Sequence, residues 1–186
     1  GLGDVYKRQG YLTIKSVDSN IAIVDYSTEE VRHAMAGMYL HQLLGKTIEQ
    51  AGVTDFAIRL AKENPERLVR MFNRLLESVD YAAYSVEDAT SVIALLQIAM
   101  IDVGLAQVIK VIGKEDSALE VHVGERTIVL ALEYCRPDQK AEQLLQVAVG
   151  QLEELTAGMP SRRNEFLRIA IVFSKPDKRI TVWSVA

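Results

Sequence analysis

The sequence predicts an α/β protein: a short β-hairpin, a helical N-terminal half, then a mixed β-sheet flanked by helices. Three observations carry that expectation. Apolar residues recur at helical spacing from about residue 28 to residue 103. The pattern then switches to three short, β-branched-rich runs separated by glycine turns, which read as strands. Last come one more amphipathic helix and two closing strands. With 49% hydrophobic and 25% charged residues, the chain can bury an ordinary core.

Gly10 to Lys15 and Ile21 to Tyr26 are β-rich, and SVDSN between them is a polar turn, so the chain opens with a hairpin. Ser27-Thr28-Glu29-Glu30 predicts a capping box, with the Ser27 hydroxyl on a free backbone N–H and Glu30 reaching back. The helix it starts should run from Thr28 to about Leu44. A second helix is expected from Thr54 to Glu63. Pro65 suits the first turn of a third, with Leu68, Val69, Phe72, Leu75 and Leu76 as its apolar stripe. Asp80 to Ser85 reads as a loop.

Val86 to Val103 is apolar on nearly all sides, which places it centrally in the core. The wider run Ser91 to Gly113 is apolar enough to suggest a membrane span. It carries Gln97, Asp102, Gln107 and Lys110 and is interrupted by Gly104, so a buried helix followed by a buried strand is expected. Ala106 to Ile112, Ser117 to Val123 and Thr127 to Tyr134 are the three strands, with turns at Gly113 and Gly124-Glu125. Pro137 should introduce a helix over Asp138 to Leu155, with Leu144, Leu145, Ala148, Leu152 and Leu155 along one side. Gly158, Pro160 and Ser161 read as a loop. Leu167 to Ser174 and Arg179 to Val185 complete the sheet across a Lys175–Lys178 turn.

Composition narrows function by exclusion. The formal net charge is −4 and the pI about 5.5, so a nucleic-acid site would need a local basic patch. The lone cysteine, Cys135, excludes an internal disulfide, fits a reducing compartment and reads as a small buried apolar residue. The expected location is cytoplasmic. His33, His41 and His122 lack metal-ligand spacing and should be ordinary surface or core histidines. Arg162-Arg163 and Lys175 with Lys178-Arg179 are basic loop clusters that either touch phosphates or are simply solvated. There is no Gly-rich phosphate loop of the Walker type, and no Ser-His-Asp or Cys-His arrangement can be argued.

The stretch Gly113 to Tyr134 carries the chemistry. Gly113-Lys114-Glu115-Asp116 leads into one strand, and Glu133 stands near the end of the next. Gln151 lies on the following helix, and Phe173 and Trp183 sit in the final pair. Taken in order, residues 10 to 186 resemble the PD-(D/E)XK nuclease superfamily. The likeness is closest to the C-terminal region of large bacterial proteins that join an AAA-type ATPase to such a domain. There a segment like Gly10–Lys15 follows the ATPase, then a motif like Ser27–Val31, a helical spacer and the nuclease core.

The resemblance implies a restriction-endonuclease-like core over residues 81–186, after a hairpin and helical spacer over residues 10–80. It also implies an upstream ATPase region as partner and nucleic acid as a possible ligand. The first nine residues, GLGDVYKRQ, are similar to a sequencing-adapter scar of metagenomic reading frames. On that reading the native protein extends upstream.

In the family an Asp and a Glu hold Mg²⁺ or Mn²⁺, which activates water for phosphodiester hydrolysis, and a Lys two residues beyond the Glu positions it. Here Asp116 fits the Asp position, but the Glu position reads Ala131 and the Lys position Glu133. Glu87 matches a helix Glu of the family, while the aromatic and His that should follow it fall at Thr90 and Ser91. Gln151 matches the helix Gln, without a Tyr near Ala157.

The site expectation is therefore Asp116, Glu133 and Gln151 as catalytic groups, and Asp116, Glu133 and Glu87 as metal ligands, with the motif degenerate. Glu133 shares a strand face with Ala131 and can bring a carboxylate toward Asp116, with Lys114 a substitute for the lost Lys. Each residue also has a plainer reading: Asp116 as a turn cap, Glu133 paired with Arg136, Glu87 as a first-turn helix acid, Gln151 as a partly exposed helix residue. Three functions stay open: a degenerate structural or binding module, an active metal nuclease, and an unrelated α/β interaction domain.

Overall fold

The computed structural model describes residues 12–18, 21–44, 55–103, 109–112, 117–157 and 166–186. It is a mixed α/β structure. The first strands, β1 (Leu12–Asp18) and β2 (Ile21–Tyr26), form an antiparallel hairpin. Ser16, Val17 and Asp18 of the expected Ser16–Asn20 turn belong to β1, and Ser19 and Asn20 lie outside the described residues. A register shift between Ile14 and Ser16 lets Ser16, Val17 and Asp18 pair with Ile23, Ala22 and Ile21. A bulge admits one extra residue without ending a ladder.

Helix α1 (Glu29–Leu44) follows. Its cap is one residue later than expected. The Thr28 hydroxyl, not that of Ser27, accepts from Val31 N–H at 3.3 Å. Hydrogen bonds to the Glu30 carboxyl from its own backbone and from Thr28 lower its pKa. Helix α2 (Phe56–Lys62) is shorter than the expected Thr54–Glu63. Asp55 enters it in a left-handed conformation, φ 55°, and Glu63 leaves it extended. Asn64 then caps α3 (Pro65–Glu77) through Arg67 N–H at 2.9 Å, with Pro65 in the first turn as expected. The α3 stripe Leu68, Val69, Phe72, Leu75 and Leu76 is buried throughout.

Helix α4 (Ala89–Asp102) starts three residues later than its hydropathy predicted, because the Asp88 carboxylate caps Ser91 N–H at 2.8 Å and sets the first turn there. α1 lies close against α4: a Cβ added at Gly37 would sit 2.7 Å from Asp102 Oδ1.

Five strands form the main sheet, in the order β3 (Ile109–Ile112), β4 (Ala118–Val123), β5 (Arg126–Cys135), β6 (Phe166–Ser174), β7 (Arg179–Val185). All neighbours are antiparallel except β5 and β6, which are parallel and joined through helix α5 (Ala141–Thr156). A parallel pair requires such a crossover. β5 is buried along nearly its whole length, as a central strand covered on both faces must be. α5 begins three residues after the expected Asp138. Gln139 folds back on Arg136, its side chain accepting from Arg136 N–H at 2.9 Å, so 137–139 form a turn.

The two faces of the sheet are built differently. One carries Leu119, Val121, Ile128, Leu130, Leu132, Ile169, Ile171 and Phe173 against α1 to α4, in one continuous core. The other carries Ala118, Val129, Ala131 and Ala170 beneath Ala148 and Leu152 of α5. Alanines on both sides let the helix lie close to the strands.

Arg126, at the β4–β5 turn, fastens the sheet to α2. Its Nη1 donates to Leu60 O at 3.1 Å and to Glu63 O at 2.7 Å, occupying carbonyls at the helix C-terminus. We expect Arg126→Ala to cost about 1–2 kcal/mol in urea unfolding, since those carbonyls lose a charged donor. Arg126→Lys should recover only part, because an ammonium lacks the planar fork. No described helix is long and apolar enough to cross a membrane.

Candidate functional site

Alternation along β5 decides where its side chains go. Ala131 and Glu133, two apart, face α5, while Leu132 and Tyr134 face the larger core. Tyr134 stacks on Phe173 at 5.7 Å between ring centroids and donates to Val86 O at 2.7 Å. Burial raises its pKa.

Toward α5, Gln151 Nε2 donates to Glu133 Oε1 at 2.7 Å. An ionised carboxylate only accepts, which orients the amide and turns its carbonyl inward. Among the described residues Gln151 Oε1 is buried and has no hydrogen-bond partner. Glu133 is half-buried and sits opposite Val172 of β6. Two of the expected site residues, Glu133 and Gln151, therefore meet across the β5–α5 interface.

Ala131 is fully buried and pairs with Ala118 on β4 and Ala170 on β6. The position that the resemblance assigns to a metal-binding Glu is thus a packing residue of the α5 interface. Asp116 and Lys114, like Arg162 and Arg163, lie outside the described residues. The ladder reaches Ser117, the chain neighbour of Asp116. Ser117 O accepts from N–H of Leu132, the chain neighbour of Glu133, at 2.9 Å.

Glu87 is placed elsewhere. It stands in the loop leading into α4, on the side of the sheet that Tyr134 faces, and is exposed. Its carboxylate accepts from Lys175 Nζ at 2.5 Å and from Ser85 Oγ at 2.6 Å. Those two bonds, Lys175 first, lower the Glu87 pKa, and the same contact raises that of Lys175. Glu87 and Glu133 point to opposite faces. Among the described residues no group of three or more His, Cys, Asp or Glu is placed to hold a metal ion. Glu133 offers one carboxylate, which already accepts from Gln151, and Gln151 offers one neutral carbonyl oxygen, and no group of three ligating side chains forms around them among the described residues. On the described residues alone the set does not fit a metal, and no step is derived through one.

Cys135 is buried at the end of β5, and burial raises its thiol pKa. The basic cluster of the β6–β7 turn is engaged: Lys175 with Glu87, Lys178 over the Tyr81 ring at 4.8 Å, Arg179 with Glu77 at 3.3 Å.

One polar arrangement escaped the sequence reading. His122 Nε2 lies 2.9 Å from Glu120 Oε1, and its Nδ1 lies 3.0 Å from Thr127 Oγ1. Residues two apart on β4 share a face, and His122 pairs with Thr127 across the ladder, so this carboxylate–imidazole–hydroxyl chain was readable once the register was known. His33 also has a structural role, its Nδ1 lying 3.1 Å from Ile101 O near the end of α4.

No family model, curated protein or solved structure matches the chain.

Proposed function

We propose that the chain is a PD-(D/E)XK nuclease-like domain with a degenerate site, acting as a structural or binding module rather than a cutting enzyme. The observation that carries this reading is the packed Ala131. It stands where the family pattern places a metal-binding Glu, and its surroundings are alanines under a close-lying helix. Two further features support it: β4 and β5 are adjacent and antiparallel, and Glu133 at the strand end meets Gln151 on the crossover helix. The succession of helix, three antiparallel strands, crossover helix and closing strand pair agrees with the restriction-endonuclease-like core. On this reading the module works beside an ATPase region of the same protein, at a cytoplasmic location.

An active nuclease is the second reading, favoured by one observation. The β4–β5 ladder extends to Ser117 and Leu132, so Asp116 and Glu133 are each one residue from a paired position. A carboxylate pair there would recruit Mg²⁺ or Mn²⁺. The third reading is an unrelated α/β interaction domain; it would gain support from Asp116 and Ala131 lying on strands that are not neighbours, and Asp116 lies outside the described residues.

The test is cleavage of plasmid and of single-stranded DNA and RNA with Mg²⁺ or Mn²⁺, comparing wild type, Asp116→Ala and Glu133→Gln. We expect no metal-dependent cutting by any of the three. Metal-dependent cutting that both substitutions abolish would replace the degenerate reading with the active one.

A further inference from the structure

Helix α3 presents an arginine face that no part of the site above uses. Its apolar residues are all turned inward, leaving Arg67, Arg70 and Arg74 exposed at i, i+3 and i+7. That spacing aligns three guanidinium groups along one side of a helix, with neighbours about 5–6 Å apart at their Cβ atoms. From Arg59 to Arg74 the chain holds five basic residues and two acidic ones, although its formal net charge is −4. Lys178 and Arg179 of the β6–β7 turn extend the surface past the end of α3, where Arg179 reaches Glu77. The nearby acids Asp80 and Asp177 are drawn into their own turns, accepting from Ala82 N–H and Ser174 Oγ.

Two ion pairs on this face are the exchangeable kind. Arg67–Glu63 at 3.1 Å and Arg70–Glu66 at 3.6 Å are i, i+4 pairs whose arginine side chains remain 59% and 63% exposed. Such pairs are weak in water, and a phosphate can displace the carboxylate while making a bidentate contact with the guanidinium fork.

We infer that the arginine face of α3 binds the phosphodiester backbone of a nucleic acid. The chemistry of the face selects that partner among polyanions. None of the exposed large hydrophobic residues lies on α3, so the helix has nothing to insert into a lipid interface. The face also lacks the aromatic or aliphatic anchors that hold a protein partner. What remains is regularly spaced arginine, suited to a regularly spaced anion that is held by charge and not read by sequence. This deepens the binding-module reading and rests on it only in that the module binds. The surface lies on the side of the sheet opposite α5, away from Glu133 and Gln151.

The experiment is fluorescence anisotropy with labelled single- and double-stranded DNA and RNA between about 50 and 200 mM salt. It compares wild type, the triple variant Arg67→Glu/Arg70→Glu/Arg74→Glu, the neutral triple variant to Gln, and Glu133→Ala/Gln151→Ala. Thermal melting checks that each is folded. Wild type should bind with steep salt dependence. The Gln triple should lose about tenfold or more in affinity at low salt, and its slope of log affinity against log salt should fall by about three. The Glu triple should not bind.

Absence of binding by wild type at the lowest salt would overturn the inference. So would unchanged binding by the folded triples. If Glu133→Ala/Gln151→Ala alone abolished binding, the α3 surface would be wrong while the binding-module reading stood. Equal binding to polyglutamate or to anionic phospholipid vesicles would transfer the face to an acidic protein or a membrane and end the nucleic-acid assignment.

Discussion

Replacing Asn73 with Leu should cost about 2–4 kcal/mol, the largest loss expected from any single polar side chain described here. Asn73 is 6% exposed in the middle of α3 and faces the outer edge of β7. Its Nδ2 donates to Ile180 O at 3.0 Å, and its Oδ1 accepts from Ile180 N–H at 2.7 Å. The side-chain amide thus pairs with one residue of β7 as a neighbouring strand would.

A sheet edge exposes unpaired backbone groups, and one covered by a helix must find partners for them. Leucine fills a similar volume but leaves a buried N–H and a buried C=O unpaired. That failure is far costlier than the modest gain from making a bond. Ile180 is itself 3% exposed, so water has little access. Urea unfolding of Asn73→Leu checks the prediction. A loss under about 0.5 kcal/mol would mean that the edge of β7 is satisfied some other way.

Asn73 also marks a limit of sequence reading. Leu68, Val69, Phe72, Leu75 and Leu76 announce a buried face by their spacing, and all five are buried. An asparagine inside that stripe looks like an interruption, because its partner is 107 residues away in the chain. The same distinction separates what was readable in the site from what was not. Ala131 and Glu133 share a strand face by simple alternation, and Gln151 falls on a helix with clear periodicity. Their meeting depends on how α5 crosses from β5 to β6, and no local pattern encodes that. Glu133 was therefore open to pairing with nearby Arg136, whereas its bond runs to Gln151, 18 residues on.

Element starts were missed for a related reason. Thr28 competes with Ser27, and Asp88 stops an apolar run that began at Val86. In each case one side-chain oxygen set the first turn. The order of elements is set by many residues at once and was legible, whereas caps and contacts depend on single atoms.

Placing an acid at residue 131 by Ala131→Glu should destabilise the protein more than Ala131→Leu does. Ala131 has no exposed surface and lies among Ala118, Ala148 and Ala170 beneath α5. Leucine there overpacks a close helix–sheet contact, for about 1–3 kcal/mol. Glutamate adds similar bulk together with a carboxyl group that has left water, and unless a cation meets it that group is held neutral with a raised pKa. The extra cost should therefore grow as pH rises. The unfolded chain ionises its Glu near the ordinary carboxylate value while the folded chain resists, so stability falls once pH passes that value.

Urea unfolding of both variants at about pH 4 and pH 8, values on either side of the ordinary Glu pKa, measures this directly. A pH-dependent penalty for Ala131→Glu that Mg²⁺ does not relieve would place the position firmly in the packing of α5. Relief by Mg²⁺ or Mn²⁺, absent for Ala131→Leu, would mean that the fold still directs neighbouring oxygens toward a cation at this point. That result would support the nuclease-like reading proposed above. The two outcomes separate a position used only for packing from one beside which a cation can be held.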